Sequence, residues 1–202
     1  MGSASLTDYV ALDPTPGLWE RVFTVAPLVL VGTTDPNGAI DLAPKHMVTP
    51  LGWGPYFGFV CTPRHGTYRN VEREGTFTVT YLRPDQLVLS SLTAAPRCED
   101  DSKPIVDALD TFPAANGRDV FVAGGHLYLE CRLERLVEGF GTNCLVVGEV
   151  VAAYADEAAL RLSDGDDQEA IQKAPLLAYL APGRWSKIGA SYSFPFPVGF
   201  ER

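Results

Sequence analysis

The sequence predicts a mainly β, antiparallel barrel or sandwich, and three observations carry that prediction. At least six segments read as strands, and the clearest of them alternate apolar and polar residues with period two. Turn residues join neighbouring segments as hairpins, above all Pro36-Asn37-Gly38 and the glycine-containing stretch 139–142. Helical stretches are short, and no series of strands alternating with long helices points to a parallel sheet.

A chain of 202 residues suits one domain, here taken as 1–202, with 1–17 an N-terminal arm and 93–118 an insertion. An apolar content of 46% is enough for a core that needs no staples. A net charge of −9 and a pI near 4.7 exclude nucleic acid as a partner and argue equally against an anionic membrane surface. No apolar run approaches the ~18 residues that a spanning helix needs. Cys61, Cys98, Cys131 and Cys144 are widely spaced, with neither C-x-x-C nor zinc spacing. Three of them, Cys61, Cys131 and Cys144, lie in apolar strand-like runs and read as buried free thiols, which suits a reducing cytoplasm. Residues 1–6 lack a basic region followed by an apolar one, so no secretory leader is expected there.

Taken in order, 1–17 is polar and proline-punctuated, and 18–25 is a short element of open type. The β-branched run 27–35 reads as a buried strand. Pro36 presets φ and Asn37-Gly38 accepts the positive φ of a tight turn, so 39–43 is the return strand, with Pro44 ending its ladder. A strand follows over 56–61. Residues 67–74 read as a two-turn helix with Thr67 as N-cap and Gly75 beyond its end. In 76–81, Phe77, Val79 and Tyr81 share one face and three threonines the other, the pattern of a half-buried antiparallel strand. A short helix is expected over 84–92, and the irregular insertion should carry another near 105–109. The strand 126–134 places Leu127, Leu129, Cys131 and Leu133 inward, and His126, Tyr128, Glu130, Arg132 and Glu134 outward. A long strand, 143–154, has Gly148 in its middle, which signals a bulge or a close backbone approach. Residues 156–169 are acidic and read as exposed, and the tail 183–188 mixes basic and aromatic residues around Trp185.

The chemistry is defined first by what is missing. There is no G-x-G-x-x-G after a strand, no P-loop, no G-x-S-x-G and no H-E-x-x-H. The acidic groups at 99–101 and 164–167 sit in loop composition and read as solvated charge. An enzyme without nucleophile, metal or acid–base pair must take its chemistry from a cofactor. One stretch suggests where. No Asp or Glu occurs between Leu42 and Val71, although the chain has 25 acids, and Lys45, His46, Arg64, His65 and Arg69 lie inside that window. Within it, Arg64-His65-Gly66-Thr67 opens a helix, where free N–H groups and the helix dipole suit a phosphate. A plain helix cap with a solvated arginine explains the same residues.

The ordered set P-L-V-L-V-G-T-T-D-P-N-G-A-I-D-L-A-P-K-H-M, F-V-C-T-P-R-H-G-T-Y-R-N-V, F-T-V-T-Y and L-E-C-R-L-E-R-L-V-E-G-F-G-T-N-C-L-V-V-G-E-V-V resembles the flavin reductase-like FMN-binding split-barrel family over about residues 20–190. The resemblance implies a mainly β, antiparallel Greek-key split barrel with short peripheral helices, a homodimer, and noncovalent FMN, with FAD the alternative. It implies that Ala43, Pro44, Lys45, His46 and Met47 lie along the isoalloxazine, largely through backbone groups. It implies that Thr62, Arg64, His65 and Thr67 belong to the phosphate site, and that Trp185 comes close to the flavin. The activity implied is hydride transfer from NAD(P)H to flavin N5 with no side-chain acid or base.

The chain departs from that pattern at three places. Asp41 stands where many relatives have Asn, and His46 where they have Ser. Asn143 stands where many have a histidine linked to nicotinamide use, and its amide can still donate to a carboxamide or flavin oxygen. Three readings stay open. One is an NAD(P)H:flavin oxidoreductase, which could supply a flavin-dependent monooxygenase. Another is a flavoredoxin-like carrier reduced by a protein partner. The third, ranked last, is a phosphate-ester oxidase, which needs a further grip of Arg and Lys on a substrate phosphate, and little beyond Arg184 and Lys187 outside the flavin segment suggests one.

Overall fold

The computed structural model describes residues 5–15, 17–100, 102–161 and 165–199. Part of the expected arm, and Asp101 and Asp164 of the acidic runs, lie outside the described residues. The described strands are β1 (Thr24–Pro27), β2 (Val29–Thr34), β3 (Ile40–Lys45), β4 (Val48–Pro50), β5 (Tyr56–Cys61), β6 (Thr76–Tyr81), β7 (Thr111–Pro113), β8 (Val120–Val122), β9 (Leu127–Phe140), β10 (Asn143–Ala155), β11 (Leu176–Ala181) and β12 (Arg184–Ile188). The helices are α1 (Gly66–Glu74), α2 (Leu87–Leu92) and α3 (Asp167–Lys173).

Seven strands pair antiparallel in the order β3-β2-β6-β9-β10-β5-β4. Its two edges, β3 and β4, are separated in the chain only by His46 and Met47. Three Cα steps reach at most ~11 Å. Six flat strand spacings would hold the edges ~29 Å apart. The sheet therefore has to curl until its edges approach, and it forms a split barrel. The Val60 N–H donates to the Met47 carbonyl at 2.9 Å, which extends the β4–β5 ladder into the linker.

The curl is helped by β10, whose register with β9 shifts at Val147/Gly148 and again at Val150/Ala152. Gly148 is also a close approach, as its position in the strand predicts. A Cβ there would stand 2.5 Å from Cζ of Phe77. Inside the curl, Val29, Val31, Phe57, Phe59, Phe77, Val79 and Val146 are fully buried. Among the described residues no helix is long and apolar enough to cross a membrane.

The expected strand 27–35 divides at Leu28. Its first part, β1, leaves the barrel sheet and pairs with β11 from Thr24↔Ala181 to Pro27↔Ala178, which builds the small sheet β1-β11-β12. Leu28, Leu30, Leu42, Leu82, Val122 and Leu177 form a second core beneath it. Pro44 does not end its strand: it pairs with Leu30, because β3 is an edge strand where a missing N–H can face away from the ladder.

The insertion changes the outer face of the barrel. Alternation predicts exposed threonines on β6, yet Thr78 and Thr80 are buried. The Thr78 hydroxyl donates to the Val120 carbonyl at 2.6 Å, and the Val122 N–H donates to Thr80 Oγ1 at 3.2 Å. Asp119, itself buried, accepts from the hydroxyls of Thr34 and Thr76. Glu130, expected outward, is buried and accepts from the Ala115 N–H at 2.8 Å. His126 is likewise half-buried rather than a surface residue, with its ring edge-on to Tyr81. The stretch 102–123 is thus a second layer over strands whose sequence pattern assumed water. Its 3-10 turn, Pro104–Ala108, lies where a short helix is expected.

Candidate functional site

Curling brings the β3–β4 linker beside the β5–α1 loop. Lys45 at the end of β3 donates to Cys61 Sγ at 3.5 Å, and the same sulfur lies 3.9 Å from His65 Nδ1. Cys61 ends β5 opposite Cys144 of β10, and both thiols are buried. Ala43 and Pro44 are half-buried opposite Val31 and Leu30, while Met47 is exposed. The His46 ring lies 4.6 Å from the Tyr179 ring on β11. Trp185 is paired across the β11–β12 hairpin with Tyr179 and shares its face, so the C-terminal tryptophan stands on the same side as His46. Asn143 is exposed at the first residue of β10, beside Cys144.

Helix α1 begins at Gly66 with His65 as its N-cap residue, in extended conformation, and ends in a left-handed Gly75 at φ +70°. Tyr68 and Val71 seat it on the barrel. The expected Thr67 cap is not found. Thr67 is buried inside the first turn, and its hydroxyl donates to Asp41 Oδ2 at 3.1 Å. A hydroxyl has one proton to give, and here Asp41 accepts it. The first N–H groups of α1 precede the i→i−4 ladder, which opens with Arg69 N–H to the His65 carbonyl. Gly66 leaves that turn open: the nearest atom to a Cβ there would be Asp41 Oδ2 at 4.0 Å. Thr62 accepts from the Arg64 N–H at 3.5 Å, and Arg64 and His65 are exposed at the rim.

Partial burial and the Lys45 ammonium, in that order, push the imidazoles of His46 and His65 below their ordinary range. Both are neutral at pH 7, and the cations here are Lys45, Arg64 and Arg69. Burial pushes the Cys61 thiol up, against the opposing pull of Lys45, so it stays protonated. The site therefore offers N–H donors, cations and aromatic faces.

Sequence reasoning missed what lies behind α1. Asp41, just outside the acid-free window, is buried and accepts from Arg97 Nη2 and Lys103 Nζ, each at 3.1 Å. Arg97 also pairs with buried Asp35, which accepts from Asn70 of α1 at 2.8 Å. Lys103 donates further to the Leu42 carbonyl at 2.9 Å. The replacement of Asn by Asp at 41 was the only legible signal; Arg97 and Lys103 sit in the most irregular part of the sequence. A cavity of 910 Å³ lies between α3 and the C-terminal segment, away from this site, and one of 790 Å³ lies between the insertion and the β2–β3 turn with Arg97 and Lys103 in its lining.

A curled antiparallel sheet with its two edges brought together and a donor-rich helix start at the seam is a split barrel. The family profile described as "Flavin reductase like domain" matches residues 22–178, and the chain belongs to the flavin reductase-like family. Solved structures agree on the fold. Flavoredoxin from Methanosarcina acetivorans is 21% identical over 95% of this chain and 97% of its own, with a TM-score of 0.76. Nitrilotriacetate monooxygenase component B from Bacillus cereus is 18% identical over 92% and 98%, with a TM-score of 0.78. The FMN-binding protein from Thermus thermophilus, solved with 1-cyclohex-2-enone, is 19% identical over 92% and 98%, with a TM-score of 0.72.

Proposed function

We propose that this chain binds FMN noncovalently at the barrel seam and acts as an NAD(P)H:flavin oxidoreductase. One observation carries the reading: the β3–β4 linker and the start of α1 meet at Cys61, which gathers Lys45, His65 and the open first turn of α1 in one place. The residues fit the cofactor. The first N–H groups of α1, with Thr62, Arg64 and His65, offer a phosphate more donors than a helix cap requires. The stretch from Ala43 to Met47, the end of β3 and its linker, would run along the isoalloxazine, and His46, Tyr179 and Trp185 supply the aromatic flank. The flavin ring, when bound, supplies the hydride-accepting N5. The protein holds and orients it and excludes water, and Asn143 at the rim offers an amide for a carboxamide. Thr67 acts through Asp41 and not by donating to the phosphate. The open side of the site, with Met47 and Trp185 about half exposed, suits completion by a second copy as a homodimer.

The flavoredoxin neighbour supports a second reading, a carrier reduced by a protein partner, and the monooxygenase component supports delivery of reduced flavin to an oxygenase. Adding NADH, then NADPH, anaerobically to the flavin-loaded protein separates them. Loss of the ~450 nm band within seconds supports the reductase. A band that persists with both and bleaches only with dithionite supports the carrier.

A further inference from the structure

The first turn of α1, read above as a phosphate site, has a carboxylate behind it. Asp41 Oδ2 stands 4.0 Å from where a Cβ on Gly66 would be, and Asp35 holds the same helix one turn on through Asn70. Two buried acids beneath an anion site would oppose an anion strongly in a poorly solvated interior. The structure balances them. Arg97 reaches both Asp35 and Asp41, and Lys103, only 10% exposed at its side chain, reaches Asp41 and the Leu42 carbonyl. Both buried acids are thus held by bases, and both bases come from the 93–118 insertion.

We propose that Lys103 and Arg97 are positioning residues for the phosphate site. They neutralise Asp41 and Asp35, so that Asp41 can fix Thr67 and the first turn of α1 without repelling the bound anion. The inference rests on the FMN reading, and it gives the insertion a function: it supplies the countercharge. An asparagine at 41 could accept the Thr67 hydroxyl without a charge, so Asp41 and Lys103 form a compensated pair. Removing the lysine alone makes the ground under the anion more negative by one charge. Removing both charges restores the balance.

The test uses the full chain as wild type, Lys103→Met, Asp41→Asn and the double variant. FMN and riboflavin, which lacks the phosphate, are each titrated by flavin fluorescence. Lys103→Met is expected to weaken FMN about tenfold for one uncompensated charge at this range. Asp41→Asn should leave FMN binding equal or tighter, and the double variant should return to within about threefold of wild type by the same reasoning. Riboflavin should be unaffected throughout. A Lys103→Met defect that riboflavin shares, or that Asp41→Asn fails to rescue, overturns the proposal, because a merely structural role predicts those results. Amide hydrogen exchange in the flavin-free protein gives a separate reading. Lys103→Met should speed exchange in residues 66–70, and the double variant should slow it again; no change there overturns the positioning role. If wild type binds neither flavin while the exchange pattern appears, the FMN reading has failed and the Asp41–Lys103 coupling to α1 has not.

Discussion

Gly148→Ala tests how the barrel is closed. The added methyl would stand 2.5 Å from Cζ and 2.7 Å from Cε1 of Phe77, and 3.1 Å from Cβ of Cys131. Carbon atoms settle at about 3.5–4.0 Å, so the ring tip must retreat by roughly 1 Å. It has no room to do so: Phe77 is fully buried, and its ring centroid lies 5.3 Å from that of Phe59. Overpacking of this kind costs ~1–3 kcal/mol. For a chain of this size, ~2 kcal/mol corresponds to a fall in Tm of about 4–8 °C. Urea denaturation of wild type, Gly148→Ala, Phe77→Leu and the double variant measures the cost and its origin. Leucine removes the ring tip, so the alanine should cost ~1 kcal/mol or more less in that background than alone. A neutral Gly148→Ala, or costs that simply add, would refute the argument that this glycine admits Phe77 at the curl.

Further outcomes follow from the same contacts. The imidazoles of His46, His65 and His126 are all held below 6.5, chiefly by burial, so the unfolded chain binds their protons first. Stability is then complete above pH 6.5 and declines as pH falls through the lower folded values, and the urea midpoint should drop between pH 7.5 and 5.5. His126→Gln should flatten that decline; an unchanged slope contradicts the assignment for that residue. Asp119→Ala leaves the Thr76 hydroxyl and the Asn116 amide without this acceptor, and Thr34 with the Arg118 carbonyl alone, at ~2 kcal/mol. Limited proteolysis should then cut first within 93–118, and cutting elsewhere first would show that Asp119 does not anchor the insertion. Arg64→Ala should weaken FMN by ~1.5–3 kcal/mol if its guanidinium holds the phosphate, with riboflavin unaffected.

The barrel was legible because its strands alternate and its turn chemistry is local. The 36–38 turn, Gly75 after α1 and the Gly148 close approach are each fixed by a few adjacent residues. What was not legible depends on contacts across the chain. The threonine face of β6, Glu130 and His126 read as solvent-facing because alternation reports one buried side, and the insertion covers the other. Thr67 read as a cap because its type and place fit one, and only the fold brings Asp41 within reach of its hydroxyl. Pro44 read as a strand end because its position at a sheet edge is a property of the closed topology. For the site, the acid-free window located Lys45, His46, Arg64 and His65 together. Arg97 and Lys103 were invisible, since a lysine in an irregular segment reads as solvated until its partner is known.

The central claim is that the seam of the barrel is a phosphate-bearing flavin site. Titration of the purified protein with FMN and with riboflavin, followed by visible absorbance and flavin fluorescence, tests it most directly. The account predicts a saturable one-to-one complex with FMN, a perturbed flavin band, and tighter binding of FMN than of riboflavin. Equal affinity for the two would contradict the phosphate site at α1, and a protein that perturbs neither flavin would contradict the flavin site itself.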